Sequence, residues 1–123
     1  MSPTWTPPGW PRGVRPIDAP GWEQSAAAWL LDRCPPEFRS YPVLRRHDVV
    51  LARFSVLHLE ASLDAVTRGL REARTSFRSH LEVQTVEAVL DTWHKEEARL
   101  GSELRAAVLV EEALRGRRFV ARL

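Results

Sequence analysis

The chain has 123 residues, of which 44% are hydrophobic and 28% charged, and its formal net charge is +2. This length predicts one small domain, and the longest apolar runs, such as residues 26–31, are far shorter than the roughly 18 to 20 residues of a membrane span. The single cysteine, Cys34, excludes an intramolecular disulfide and a cysteine-rich zinc site. The start of the chain has no basic-then-apolar signal pattern, so a cytoplasmic location is expected.

An arm is predicted over residues 1–17, because five prolines in this segment disfavour a helix. We expect its first eight or so residues to be disordered and docking to begin at Trp10. The stretch from Trp5 to Pro11 has the composition of segments that proline-binding modules grip. It therefore either binds a partner or clamps the protein's own helices.

A first helix is predicted after the arm. Asp18 or Ala19 is positioned to cap it, Pro20 suits its first turn, and the Pro35-Pro36 pair ends it. Its apolar residues include two tryptophans at helical spacing, which would bury a large area for so short a helix.

A long helix is predicted from about residue 42 or 48 to residue 78, and a start at residue 42 would include a short first piece that ends near residues 47–48. Its apolar residues are spaced three and four apart over four heptads, a pattern typical of a helix that packs on another helix. They are Val49, Ala52, Val56, Leu59, Leu63, Val66, Leu70, Ala73 and Phe77. The first half has a second apolar side and so should contact two neighbours. This side consists of Val50, Leu51, Phe54, Leu57, Ala61 and Ala65. The second half should contact one.

A further helix is predicted over residues 80–114. Ser79 and Glu82 have the spacing of a capping box, and the apolar stripe changes frame at this point. Residues 42–78 have a net charge of +3, whereas residues 79–114 have a net charge of −5. These features favour two oppositely charged helices folded side by side as an antiparallel coiled-coil hairpin.

A turn near residue 80 sets the register of the predicted hairpin. It places Gly69 opposite Trp93, where the absence of a side chain leaves room for the indole. It also predicts two ion pairs between the helices, Arg68 with Glu97 and Arg53 with Glu111.

The predicted fold class is all-α. It consists of the long hairpin with the shorter N-terminal helix packed on it, which makes a three-helix bundle over residues 18–114. A basic tail follows over residues 115–123, and Gly116 is expected to end the last helix.

No pattern in the sequence indicates catalysis, a cofactor or a metal site. Asp91 and His94 have the spacing of a carboxylate–histidine pair in metal-binding bundles, but both lie off the apolar stripe, and no second such pair is present. His58 is read as a packed histidine. There is no nucleophile motif and no phosphate-binding glycine loop, so an enzyme is not expected.

The leading hypothesis is a non-catalytic interaction, assembly or adaptor protein that binds a protein partner or itself. The alternative is a nucleic-acid-binding accessory protein that acts weakly through the arginines of the tail. Arginine enrichment alone carries little weight, because a GC-rich genome also produces it. The predicted partner-binding residues are Trp5, Pro7, Pro8, Trp10, Arg115, Arg117, Arg118 and Phe119.

Three segments, residues 10–16, 28–36 and 41–47, and the closing segment 111–119 resemble small uncharacterised helical proteins of high-GC, actinobacterial-type bacteria. The resemblance implies a bacterial cytoplasmic protein. It implies no activity, ligand or site residue.

Overall fold

The computed structural model of the protein describes residues 5–121, and within that range it contains helices and no strand. The all-α prediction is therefore confirmed at this level. The α-helices in that range are α1 (Trp22–Asp32), α2 (Pro42–Arg46), α3 (Asp48–Phe77) and α4 (Val83–Leu114), and a 3-10 turn covers Pro36–Ser40. The predicted break before the long helix is also confirmed, since α2 ends before His47 and α3 begins at Asp48. None of these helices combines the length and apolarity that crossing a membrane requires.

The predicted cap of the first helix is wrong. Residue Gly21, not Asp18 or Ala19, precedes α1, and no side chain caps the helix. Two successive turns use the residues before it, because Ala19 N–H donates to Pro16 O and Trp22 N–H donates to Ala19 O. Gly21 has a φ of +76°, a left-handed conformation that glycine adopts without steric cost.

The predicted capping box at the start of the last helix is also wrong. Helix α4 begins at Val83, and Glu82 precedes it without a side-chain cap. Ser79 lies in the turn that closes α3, where the N–H groups of His80 and Leu81 both donate to Phe77 O. The predicted end is confirmed: Gly116 has a φ of +101°, and its N–H donates to Ala113 O at 3.0 Å.

Helices α3 and α4 are long and pack against each other. Three polar contacts join them: Arg74 to Glu87 at 2.5 Å, Thr67 Oγ1 to Glu97 at 3.0 Å, and Arg53 to Glu111 at 3.4 Å. Along these three contacts, the residue number on α4 rises as the residue number on α3 falls. The Arg53–Glu111 prediction is confirmed.

The predicted pairing of Arg68 with Glu97 is wrong. Arg68 donates instead to Glu72, one turn further along the same helix, and Thr67 takes the place beside Glu97. The pairing of Gly69 with Trp93 is confirmed. A Cβ added to Gly69 would lie 3.1 Å from the indole Nε1 of Trp93, so the missing side chain makes room for the ring.

The core is divided unequally along α3 and α4. The larger cluster has sixteen buried residues and includes α1, Val14 of the arm, and residues of α3 and α4 up to Val66 and Leu100. The smaller cluster consists of Ala73, Val86 and Leu90. We call residues 48–66 and 98–114 the proximal segment, and residues 67–77 and 83–97 the distal segment. As predicted, fewer elements pack against α3 in the distal segment than in the proximal segment.

The predicted second neighbour of α3 covers only part of the side on which it was expected. Leu51 is fully buried and Val50 packs against the larger core. Phe54 and Leu57 are 50% and 43% exposed, and Ala61 and Ala65 are exposed as well. The connection after α1 lies instead over the side that contains Ser55, whose Oγ is 3.0 Å from Cys34 Sγ. One side of α3 therefore stays open to solvent.

Candidate functional site

The arm packs against the protein's own helices over most of its described length. Pro7, Pro11 and Val14 are buried, and the Trp10 indole N–H donates to Val14 O at 3.0 Å. The Trp10 ring lies 6.4 Å from the ring of Trp22 on α1. Contact thus begins before Trp10, at Pro7, which corrects the expected docking point. Residues 1–4, the rest of the segment expected to be disordered, lie outside the described residues.

The arm and the tail meet and form one cleft, which we call the arm–tail cleft. Its volume is about 450 Å³, and it contains six of the eight predicted partner-binding residues. They are Trp5, Pro7, Pro8, Arg117, Arg118 and Phe119, joined by Val120 and Ala121. Trp10 packs deeper against α1, and Arg115 lies on the turn before the cleft. Sequence reasoning identified these residues separately and did not predict that they share a cleft.

Acidic side chains neutralise much of the tail's positive charge. Arg115 lies 3.0 Å from Glu111, and Arg117 pairs with Glu112 while its guanidinium stacks on Phe119 at 4.6 Å. Arg118 is 3.7 Å from Asp18 of the arm. The fourth tail arginine of the sequence, Arg122, lies outside the described residues. Since each of these three guanidiniums faces a carboxylate of the same chain, the cleft is less cationic than its sequence suggests.

Glu111 stands out within this charge network because its side chain is only 8% exposed. It contacts Arg53 of α3 at 3.4 Å and Arg115 at 3.0 Å. A carboxylate removed from water needs such partners. Glu111 therefore links α3, α4 and the start of the tail.

A second cleft, of about 550 Å³, lies where the end of α1 meets α3 and α4. It is lined by Cys34, His58, Ser62, Arg99 and Glu103 among others. Arg99 bonds to Glu96 and Glu103, so its charge is already matched. The volume is large enough for a small ligand, yet its charged groups chiefly contact each other.

The thiol in this second cleft is not set up as a nucleophile. Burial raises the pKa of Cys34, and this effect outweighs the opposing effects of the hydrogen bond to Ser55 and of the charge on Arg39. The thiol therefore stays protonated at neutral pH, whereas the thiolate is the reactive form. His58 packs near Phe38, with 6.4 Å between ring centres.

Asp91 and His94, the pair with the spacing of metal ligands in helical bundles, are exposed on α4. The nearest carboxylate to His94 is that of Glu97, at 3.9 Å. Within residues 5–121, the structure brings no three His, Cys, Asp or Glu side chains together as a metal ion would require.

The distal segment and the turn beside it expose large apolar side chains. Phe77, Leu81 and Trp93 are between 38% and 42% exposed, and Val83 is 74% exposed. The stripe patterns of the sequence place Phe77, Val83 and Trp93 on the sides facing the partner helix. Near the turn, however, the two helices do not cover them completely, because no third element packs there among the described residues. The change of stripe frame at the turn was the sequence feature that could have predicted this exposed apolar surface.

No protein-family model, no curated protein and no solved structure matches this chain.

Proposed function

We propose that this protein is a non-catalytic interaction or assembly protein that binds another protein chain through its distal segment. The observation that carries the proposal is the exposure of Phe77, Leu81, Val83 and Trp93 around one end of α3 and α4. Clustered exposed apolar residues mark interaction surfaces in soluble proteins. A large aromatic residue among them is typical of the residues that dominate binding energy.

We also infer the finer arrangement of the helices. The contacts of Arg74, Thr67 and Arg53 with residues of rising number on α4 support an antiparallel hairpin. Helix α1 contacts both α3 and α4, which supports a three-helix bundle limited to the proximal segment. In this arrangement the distal segment is a two-helix extension, and two helices alone bury little apolar surface.

The arm–tail cleft is the second part of the proposal. Trp5 is 40% exposed and stands beside prolines, Phe119 and two arginines. Aromatic and arginine side chains are enriched at protein interfaces. The arm's contacts with its own helices support the reading in which it clamps the bundle, and the cleft that it forms remains accessible to a partner.

Nucleic-acid binding through the tail remains an alternative prediction, and the geometry gives it less support. Arg115, Arg117 and Arg118 each pair with an acid of the same chain, and phosphate binding would have to displace those pairs. A mobility-shift assay on the whole chain and on a chain ending at Leu114 tests it. Equal retardation of nucleic acid by the two chains would remove this alternative.

Light scattering and affinity purification from the native host test the main proposal. We expect self-association or a recovered partner, and we expect the Val83→Ser variant to weaken whichever binding is found. Val43→Ser is the matched control, because Val43 is an exposed valine of α2 that lies outside both the distal segment and the arm–tail cleft. The proposal is contradicted if the protein is strictly monomeric and if no recovered partner binds the Val83→Ser variant more weakly than it binds wild type. The cytoplasmic location likewise remains a prediction.

A further inference from the structure

Residues 7–14 of the arm, which we call the arm module, form a unit that holds its own shape. Its first turn is closed by a hydrogen bond from Trp10 N–H to Pro7 O at 3.0 Å. Its second turn is closed by one from Val14 N–H to Pro11 O at 3.2 Å. The Trp10 indole N–H joins the two turns through its bond to Val14 O. Within residues 5–121, the hydrogen bonds of this module all stay inside it. The module can therefore leave the helices without breaking any of them.

The module docks by packing into a groove between α1 and the C-terminal part of α4, which we call the arm groove. Its walls include Trp22, Trp29 and Leu109. The indole ring of the module lies 6.4 Å from the Trp22 ring. A Cβ added to Gly13 would lie 2.9 Å from Trp29 Cδ1, and a Cβ added to Gly9 would lie 3.4 Å from Leu109 Cδ1. The arm seated in the groove thus shows which kind of segment the groove accepts.

The connection between the module and α1, residues 15–21, is short and strained. Asp18 has a φ of +69°, a left-handed conformation that residues other than glycine adopt at a cost. Pro16 and Pro20 restrict the backbone on either side of it. Short hinges under strain favour the exchange of a segment between copies of a protein. When extended, the connection spans about 23 Å, which lets the module reach a neighbouring chain.

Charge also favours docking of an arm in this groove. Residues 5–17 have a net charge of +2, from Arg12 and Arg15. Helix α1 has a net charge of −2, from Glu23 and Asp32, and residues 103–114 of α4 also have a net charge of −2. A positive segment therefore lies between two negative ones. An arm that arrives from another chain meets the same attraction.

We propose that the arm groove accepts the arm of a second copy of this chain, so that two copies join by exchanging arms. The proposal rests on the proposed interaction function and names the partner, and the arm–tail cleft then forms between two chains. The exchanged arm repeats the contacts of the closed chain, including the bond from Arg15 N–H to Ser25 Oγ at 2.9 Å. Exchange of an identical element is a low-cost route to a symmetric dimer.

Each chain's own arm competes with the arm of its neighbour. A segment tethered to its groove acts at an effective concentration in the millimolar range, so the wild-type chain is expected to be mostly closed in dilute solution. Two complementary variants remove this competition. Trp10→Ala weakens the arm and leaves the groove vacant. Leu109→Arg places a charge where Gly9 docks and leaves the arm free, and the new arginine then stays in water.

Sedimentation equilibrium on the two full-length variants, alone and mixed, tests the proposal. We expect each variant alone to be monomeric and the equimolar mixture to form a 1:1 complex, in which the free arm of one chain fills the vacant groove of the other. The matched control replaces the Leu109→Arg chain by one that also carries Trp10→Ala, and it should not bind. Circular dichroism verifies folding, and faster trypsin cleavage after Arg12 than in wild type verifies that both arms are released.

A labelled synthetic peptide of residues 5–17 gives a second measurement that does not depend on the Leu109→Arg chain. Fluorescence anisotropy should show that it binds the full-length Trp10→Ala chain. The same peptide with Trp10→Ala should bind at least about tenfold more weakly, because a buried tryptophan dominates a small interface.

Two outcomes would overturn the proposal: a mixture that forms no complex although both arms are released, and a peptide that binds equally well with and without Trp10. Association of each variant alone that Val83→Ser weakens would also overturn it, because the chains would then join through the distal segment. That last result would leave the proposed function standing. Val83 lies 26 residues from Leu109 along α4, or about 39 Å, so the two failures are distinguishable.

Discussion

The proximal and distal segments belong to the same two helices but differ in what surrounds them. In the proximal segment, α1 and the arm complete a core of sixteen residues, and Leu30, Leu51 and Ala107 are fully buried. In the distal segment, the cluster has three residues, and large apolar side chains remain in contact with water. The difference indicates that one end of the molecule supplies the stability of the fold and that the other presents a surface.

The largest expected effect comes from a cavity in the proximal core. Leu30→Ala removes a fully buried side chain of α1 and should lower the free energy of unfolding by about 2 to 5 kcal/mol. Val83→Ala, at the exposed end of α4, should change it by less than about 0.5 kcal/mol. Urea unfolding followed by circular dichroism measures both. Equal losses for the two variants would break the comparison between the segments.

Two glycines that face tryptophans sharpen the comparison. A Cβ at Gly13 would lie 2.9 Å from Cδ1 of Trp29, which is buried, whereas a Cβ at Gly69 would lie 3.1 Å from Nε1 of Trp93, which is 42% exposed. Gly13→Ala should cost about 1 to 3 kcal/mol, because the buried ring cannot move freely.

Gly69→Ala should stay within about 1 kcal/mol of wild type. Alanine improves the helix by about 1 kcal/mol, and the exposed indole of Trp93 can move away from the new methyl group. The same unfolding experiment compares the two glycine variants. A greater loss for Gly69→Ala than for Gly13→Ala would show that the distal segment is packed as tightly as the proximal one.

A smaller effect is expected from the ion pairs. Glu111→Gln removes the charge of a buried carboxylate that contacts Arg53 and Arg115, and it should cost about 1 kcal/mol. Glu87→Gln, in the distal segment, breaks an exposed pair with Arg74 and should cost about 0 to 0.5 kcal/mol. Thermal unfolding at low and at high salt separates the two, because salt should reduce only the exposed contribution.

Sequence patterns predicted the parts of the fold that depend on periodicity. The heptad stripe located α3, the change of frame located the turn, and Gly69 with Trp93 set the register between the helices. The helix starts were not predictable in the same way, because turns before Trp22 and after Phe77 used the backbone groups that Asp18 and Ser79 were expected to cap. Such turns depend on local backbone geometry that a capping motif does not encode.

The individual residues of the candidate site were predictable from the sequence, but the cleft that they form together was not. Trp5, Pro7 and Phe119 were identified from their residue types, but the cleft that joins them forms only when the arm folds back onto the tail. The open side of α3 was missed for a related reason. Phe54 and Leu57 fit an apolar face, and nothing in the spacing of residues says which side of a helix a short neighbour such as α1 will cover.

Hydrogen exchange tests the central claim most directly. The account predicts that amides of the proximal segment, such as those of Val56 and Ala107, exchange slowly. Amides around Thr85, Ala88 and Thr92 of the distal segment should exchange faster, because only three buried residues form the core there. Uniform protection along α4 would contradict the account.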